Sequence, residues 1–267
     1  MARLVELSSP KNPLVARVKE AAAGDRPDEM VVEGARVVGE AIAADCEILV
    51  GVLAERFASS EAGAALRKGL EARAHQLAIA QDAVFERLSS LTTPQGVLAL
   101  VRTPRCEERA LCGADPARAL IVVAAGVRDP GNLGAMLRAT EAAGGTGFIA
   151  QKGSADPFRE KAVRGSSGSV LRLPTLRGLD APALRAFATR HGLCLAIADA
   201  HAPTEYLDAD LRGPVMIALG SEGQGVPSEL VDVADLRLRI PIQPSVESLN
   251  VAVATGVLLF EARRQRR

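Results

Sequence analysis

Residues 120–125 read Leu-Ile-Val-Val-Ala-Ala, six apolar side chains with no polar residue between them. A strand with one face in water alternates apolar and polar residues. An unbroken apolar run has two apolar faces, and both must be covered. A segment that begins this way is committed to a parallel sheet, because the crossovers that join parallel strands carry the covering helices. The rest of the chain keeps that rhythm. Helices are expected at 133–143, 157–164 and 181–190, and strands at 147–150, 170–173, 193–198, 214–219 and 236–240. A last helix is expected from about 247 to 263. Ligands of such sheets bind at the loops that leave the carboxyl ends of the strands.

Upstream, strands are expected at 29–33, 47–54, 76–80 and 96–102, and helices at 34–44 and 60–74. Residues from Thr103 to Pro116 hold two prolines, a glycine and several charges but little periodicity. The division read from this is a small α/β domain at 1–104, a linker at 105–116 and a larger α/β domain at 117–267.

Composition removes several alternatives. With 48% hydrophobic and 24% charged residues, the chain can bury a core and is not a disordered segment. Cys46, Cys106, Cys112 and Cys194 are too dispersed for a zinc site or a disulfide framework, so no metal is expected and a reducing cytoplasm fits. The longest apolar stretch, Leu249–Phe260, is broken by Asn250 and Thr255 and is too short for a bilayer span. Lys+Arg and Asp+Glu both total 32, so any basic surface must be local. Between Lys152 and Arg177 six basic residues face two acidic ones, around a Gly165-Ser166-Ser167-Gly168 segment read as flexible. The tail from Glu261 adds four basic residues against one acidic. Aromatic residues are only 3%, with no Trp and a single Tyr206, which argues against a stacking platform for single-stranded bases.

Some patterns carry nothing. Gly145, Gly147 and Ala150 match a dinucleotide-type spacing but enter a strand from a helix, the reverse of the required context. No phosphate-binding GxxxxGK[ST] loop is present. His75, His191 and His201 are scattered, and all three read as structural.

Three loops carry the chemistry. The first follows strand 120–125 and runs Asp129-Pro130-Gly131-Asn132-Leu133-Gly134, with Arg138 six residues beyond Asn132. Taken alone it is a turn in which Asn132 caps a helix. Asn132 and Arg138 are about 600° apart around a helix, so they do not share a face. The second, Leu219-Gly220-Ser221-Glu222-Gly223-Gln224-Gly225, places three glycines around one carboxylate. That carboxylate would repel a phosphate, so a cationic or neutral hydrogen-bonding ligand fits better. In the third, Ile240-Pro241 to Ala254, two prolines hold the backbone extended before the last helix. Ser245 or Ser248 is available there as its cap. Asn250 stands among apolar neighbours and needs partners.

In this order and spacing the three segments resemble the signature motifs of the SpoU (TrmH-like) RNA 2′-O-ribose methyltransferases, within the SPOUT class. The matching residues are Asn132, Gly134 and Arg138; Leu219 through Gly223; and Ile240-Pro241 with Glu247-Ser248-Leu249-Asn250-Val251. More weakly, Ser9-Pro10-Lys11-Asn12-Pro13 and Val32-Glu33-Gly34-Ala35-Arg36 resemble the family's accessory RNA-binding domain.

The resemblance implies a mainly parallel α/β sheet with a carboxyl-terminal trefoil knot, against the physical expectation of an unthreaded chain. It implies S-adenosylmethionine as methyl donor, with Leu219, Gly220, Ile240 and Leu249 around it. Arg138 would be the central catalytic residue, orienting a ribose 2′-hydroxyl and its phosphate, because a guanidinium is a poor base. Asn132, Glu222, Ser248 and Asn250 would form the polar shell, with Glu222 a second possible base. The partners implied are RNA, ribosomal RNA foremost because of the amino-terminal extension, and a second copy of the chain packed through the knotted domain. The same reaction on tRNA and a non-catalytic RNA-binding relative are the competing readings.

Overall fold

The computed structural model describes residues 2–267. The chain forms two compact units: one takes the residues up to Pro104 together with Phe158–Leu171, and the other takes Arg105–Pro157 and Arg172–Arg267.

The first unit is built on β1 (Arg3–Leu7), α1 (Pro13–Ala23), β2 (Glu29–Glu33), α2 (Ala35–Ala43), β3 (Ile48–Ala54), α3 (Glu55–Ala58), α4 (Glu61–Arg73), β4 (Ala74–Ala80), α5 (Asp82–Leu88) and β5 (Val97–Arg102). Its five strands lie in the order β1-β4-β3-β5-β2, with β5 antiparallel to both neighbours. β2 is buried along its whole length, charged residues included. Its Glu29 is tolerated there because the Arg26 and Arg17 guanidiniums grip the carboxylate; Arg26, then Arg17, hold its pKa at about 2 against the cost of burial.

The second unit continues with β6 (Leu120–Ala125), α6 (Pro130–Ala143), β7 (Gly147–Gln151), α7 (Glu160–Ser166), α8 (Ser169–Arg172), β8 (Thr175–Leu179), α9 (Ala181–His191), β9 (Cys194–Ala198), β10 (Thr204–Glu205), β11 (Val215–Gly220), α10 (Ser228–Val231), β12 (Leu236–Arg239) and α11 (Val251–Gln265). Within that run, α7 and most of α8 belong to the first unit. The seven strands are all parallel, in the order β10-β12-β9-β11-β6-β7-β8. The apolar run at 120–125 is β6, near the middle of the sheet and buried at every position. One face is filled by Ile121, Val123, Leu195, Ile197 and Met216 packed against Leu184 and Phe187 of α9. The opposite side of the unit holds α6 and α11, which pack against each other. Their buried Thr140 and Thr255 each bond a carbonyl one turn back, so neither hydroxyl is left unsatisfied. Among the described residues no helix is long and apolar enough to cross a membrane.

Four expectations need correction. Residues 170–172 lie in α8 rather than a strand, and the edge strand is β8, a few residues later. Residues 105–116 are not a free connector: Leu111 and Cys112 sit in the second unit's core. The 165–168 segment is the closely packed end of α7, where Ser166 is fully buried and bonds the Val163 carbonyl. The basic stretch is also largely spent inside the protein. Arg164 pairs with Glu160, Arg172 with Glu141 and Arg177 with Asp156. In the tail, Arg264 pairs with Glu261, while Arg266 donates to the carbonyls of Arg118, Ala119, Leu211 and Gly213.

Candidate active site

The three loops converge at the amino-terminal ends of α6 and α11. Asp129 caps α6, accepting from the Asn132 N–H at 2.8 Å, and Pro130 opens the helix with its fixed φ and absent N–H. Asn132 is therefore inside the first turn, not at the cap, and its side chain is free for another partner. Asn250 caps α11 by accepting from the N–H groups of Ala252 and Val253, at 3.0 and 3.3 Å. Ser245 and Ser248 are exposed and cap nothing, so the last helix begins at Val251 rather than near 247.

Between these two helix ends lies Glu222. Its Oε1 accepts from the Asn132 amide at 3.1 Å, from the Asn250 amide at 2.7 Å and from the Val251 backbone N–H at 3.3 Å. Asn250 also donates to Asn132 Oδ1 at 3.1 Å, which closes a triangle. A carboxylate at two helix amino termini sits where both macrodipoles favour negative charge. Sequence reasoning grouped Asn132, Glu222 and Asn250 and missed the Val251 N–H. Its only signal was position: it is the first donor after a capping Asn.

The other named residues stand apart from this triangle. Arg138 lies further along α6, exposed, and makes no hydrogen bond or ion pair among the described residues. Ser248 is likewise exposed and unbonded, two residues before Asn250. Leu219 is buried at the end of β11, while Gly220, Ile240 and Leu249 are half-buried.

β11 and β12 flank β9. Gly220 and Ile240 thus leave the same end of the sheet about 10 Å apart, two strand spacings of 4.7–4.9 Å. Ile240 and Leu249 make no main-chain hydrogen bond among the described residues, which leaves their N–H and C=O groups able to bind a ligand edge. Free backbone groups beside the apolar Leu219, Ile240 and Leu249 side chains fit an adenosine-bearing cofactor.

The glycines at 220 and 225 serve the loop itself. A side chain at Gly220 would meet the Gly225 carbonyl carbon at 1.9 Å and the Val226 nitrogen at 2.2 Å. The loop folds back through the Gly225 N–H to Ser221 carbonyl bond at 2.9 Å, with Gly225 in the left-handed region at φ +69°. The positive φ at Gly225 is the conformational freedom expected of a glycine in this loop.

Comparison with known proteins matches this arrangement. The model of the SpoU rRNA Methylase family matches residues 119–260, and that of the MRM3-like substrate binding domain matches residues 16–99. An uncharacterized tRNA/rRNA methyltransferase of Synechocystis sp. is 30% identical over 98% of this chain and 94% of its own length. The 23S rRNA (guanosine-2′-O-)-methyltransferase RlmB of Xylella fastidiosa strain 9a5c is 34% identical over 83% of this chain and 89% of its own. The crystal structure of an AdoMet-bound rRNA methyltransferase from Sinorhizobium meliloti superposes with a TM-score of 0.86 at 27% identity, covering 98% of each chain.

Proposed function

The chain belongs to the SpoU rRNA methylase family of S-adenosylmethionine-dependent RNA 2′-O-methyltransferases, and from that premise we propose how its own residues divide the work on a ribosomal RNA substrate. The bound cofactor supplies an activated methyl group on a sulfonium. What remains for the protein is alignment of the two reactants and care of one weakly acidic proton.

Leu219, Gly220, Ile240 and Leu249 hold the cofactor, through apolar contact with its adenine and through the free backbone groups at 240 and 249. Arg138 orients the ribose hydroxyl and the adjoining phosphate. Its guanidinium stays protonated, so it acts by position and charge rather than as a base. Asn132, Glu222 and Asn250 fix the relative placement of the three loops, and Ser248 adds a hydroxyl at the rim. The observation that carries this reading is the triangle itself. One carboxylate oxygen binds Asn132 from the first motif and both Asn250 and Val251 from the third, so the three loops form a single site.

The fold supports two further features. The connection after β11 crosses β9 to reach β12, and the connection after β12 returns to place α11 against α6 and β11. Two connections crossing at one end of a sheet favour a threaded chain, the trefoil knot of the class. On α11, Val253 and Phe260 are 53% and 51% exposed and lie seven residues apart, so they share one face. An apolar stripe of that kind suits a homodimer packed through the last helix. A cytoplasmic enzyme is the reading that the dispersed cysteine positions favour.

The test separates binding from transfer. Arg138→Ala is expected to lower methyl transfer at least about 100-fold, in the range of a lost transition-state contact, while leaving S-adenosylmethionine affinity within about twofold of wild type. Unchanged turnover would remove Arg138 from the mechanism.

A further inference from the structure

The first unit carries a cavity with no part in holding the methyl donor. Its volume is about 360 Å³, towards the lower end of ligand clefts. It opens where β3 runs into α3 and where the chain re-enters at β5. Phe57 and Phe85, two of only six phenylalanines in the chain, line it together with Arg56, Asp82, Glu86 and Gln95. Phe57 is held in place from behind. Gly96, in the left-handed region at φ +76°, lies so close that a side chain there would meet the Phe57 Cβ at 2.5 Å.

The polar groups of the rim are not equivalent. Asp82 is occupied, accepting from the Arg56 backbone N–H at 3.2 Å and facing its guanidinium at 3.5 Å. Gln95 accepts at Oε1 from the Ala35 N–H at 3.3 Å, which orients the amide and leaves its NH2 group to donate elsewhere. Glu86 is exposed and makes no hydrogen bond or ion pair among the described residues. The cavity thus offers apolar walls, one open carboxylate, and the donors of Gln95 and Arg56.

A phosphate is excluded by two carboxylates. Adenine would set a ring nitrogen lone pair against Glu86. Guanine matches: adjacent N1–H and N2–H donors suit a carboxylate, and the neighbouring O6 suits the amide or guanidinium. Charge points to a base as well. Residues 1–104 and 158–171 together hold 15 Lys+Arg and 15 Asp+Glu, so this unit has no net positive charge with which to hold RNA by its phosphates. All the lining residues fall within the span matched by the substrate-binding model.

We propose that this cavity takes one unstacked guanine base of the RNA substrate, seated against the half-buried Phe57 ring with Glu86 accepting from its Watson–Crick edge. The proposal rests on the RNA-methyltransferase reading and adds a base-specific contact away from the reacting ribose.

The experiment uses the full chain and two readouts. In methyl transfer to ribosomal RNA, Glu86→Gln raises the KM for RNA about tenfold, equivalent to about 1.4 kcal/mol, with kcat and S-adenosylmethionine affinity unchanged. In fluorine NMR of the fluorophenylalanine-labelled protein, 5′-GMP shifts the Phe57 resonance (assigned by its loss in Phe57→Leu), 5′-AMP does not, and Glu86→Gln removes the shift. An unchanged KM in Glu86→Gln, or equal shifts from GMP and AMP, overturns the proposal. If GMP shifts Phe57 but the wild type methylates no RNA, the cavity serves a free guanine nucleotide and the RNA-base proposal is overturned together with the reading beneath it. Transfer that proceeds normally with no GMP response and no KM change overturns the base site alone.

Discussion

Asn250 shows how much one residue carries at this site. Its carbonyl oxygen caps α11 and its amide nitrogen bonds both Asn132 and Glu222. Asn250→Asp keeps the capping oxygen and loses the amide donors, placing a second carboxylate against Glu222. Asn250→Ala loses both functions. Loss of a cap costs about 1 kcal/mol, so Asn250→Ala is expected to lower the melting temperature by a few degrees. Asn250→Asp is expected to retain the helix start but lose methyl transfer as severely as Asn250→Ala. Thermal unfolding and a transfer assay on the two variants check this, and full activity in Asn250→Asp would mean that the triangle is ornamental. The need of Asn250 for partners was legible in the sequence, because an amide among apolar neighbours must be satisfied. Its capping role was hidden by Ser245 and Ser248, equally good caps by type but displaced by where the extended Pro241–Pro244 segment releases the chain. Arg138 was legible only through the resemblance. Its side chain bonds nothing among the described residues, so neither periodicity nor packing marks it.

At the scale of elements, β6, β7, β9 and β11 could be read directly because central parallel strands are apolar throughout. The edges could not. β1 buries only Leu7 fully, and β8 exposes Arg177 and Gly178, so neither shows a strand's pattern. α1 was missed despite its Asn12 cap and Pro13 opening. The most informative departure is α7, read as part of the second domain yet packed on β2. There Glu33 and Glu160 meet: Ser89 donates to Glu33, and Ser90 and Arg164 donate to Glu160. Burial pushes the Glu33 carboxyl above its usual range, against the bond from Ser89, and the neighbouring Glu160 adds to that push. The folded chain therefore keeps a proton that the unfolded chain gives up. The stability linked to that proton is fully present below the ordinary glutamate pKa and is lost as pH rises through the raised value. Glu33→Gln is neutral at every pH, so its melting temperature should fall less than wild type's as pH climbs from that ordinary value. Parallel melting curves for the two proteins across pH 4 to 8 would show Glu33 to be ordinary.

At the scale of the molecule, parallel layering was legible from the sequence and the proposed threading was not. Local pattern specifies which segments are strands. It does not specify which of two crossing connections passes inside the other, and general topology argues against either doing so. Assembly is a similar case, since the exposed Val253 and Phe260 stripe becomes visible only once α11 is docked by its opposite face. Phe260→Glu places a charge in that stripe without touching the triangle. It is expected to convert a dimer to a monomer in light scattering while the monomer keeps its melting behaviour to within a few degrees. A dimer of unchanged mass would move the interface elsewhere.

The central claim is methylation of a ribose hydroxyl in ribosomal RNA, and it is tested most directly by transfer of a tritiated methyl group from S-adenosylmethionine into rRNA and tRNA offered separately. Label is expected in rRNA and survives digestion as a 2′-O-methylated nucleoside. Label confined to tRNA, or recovered on a base, would contradict it.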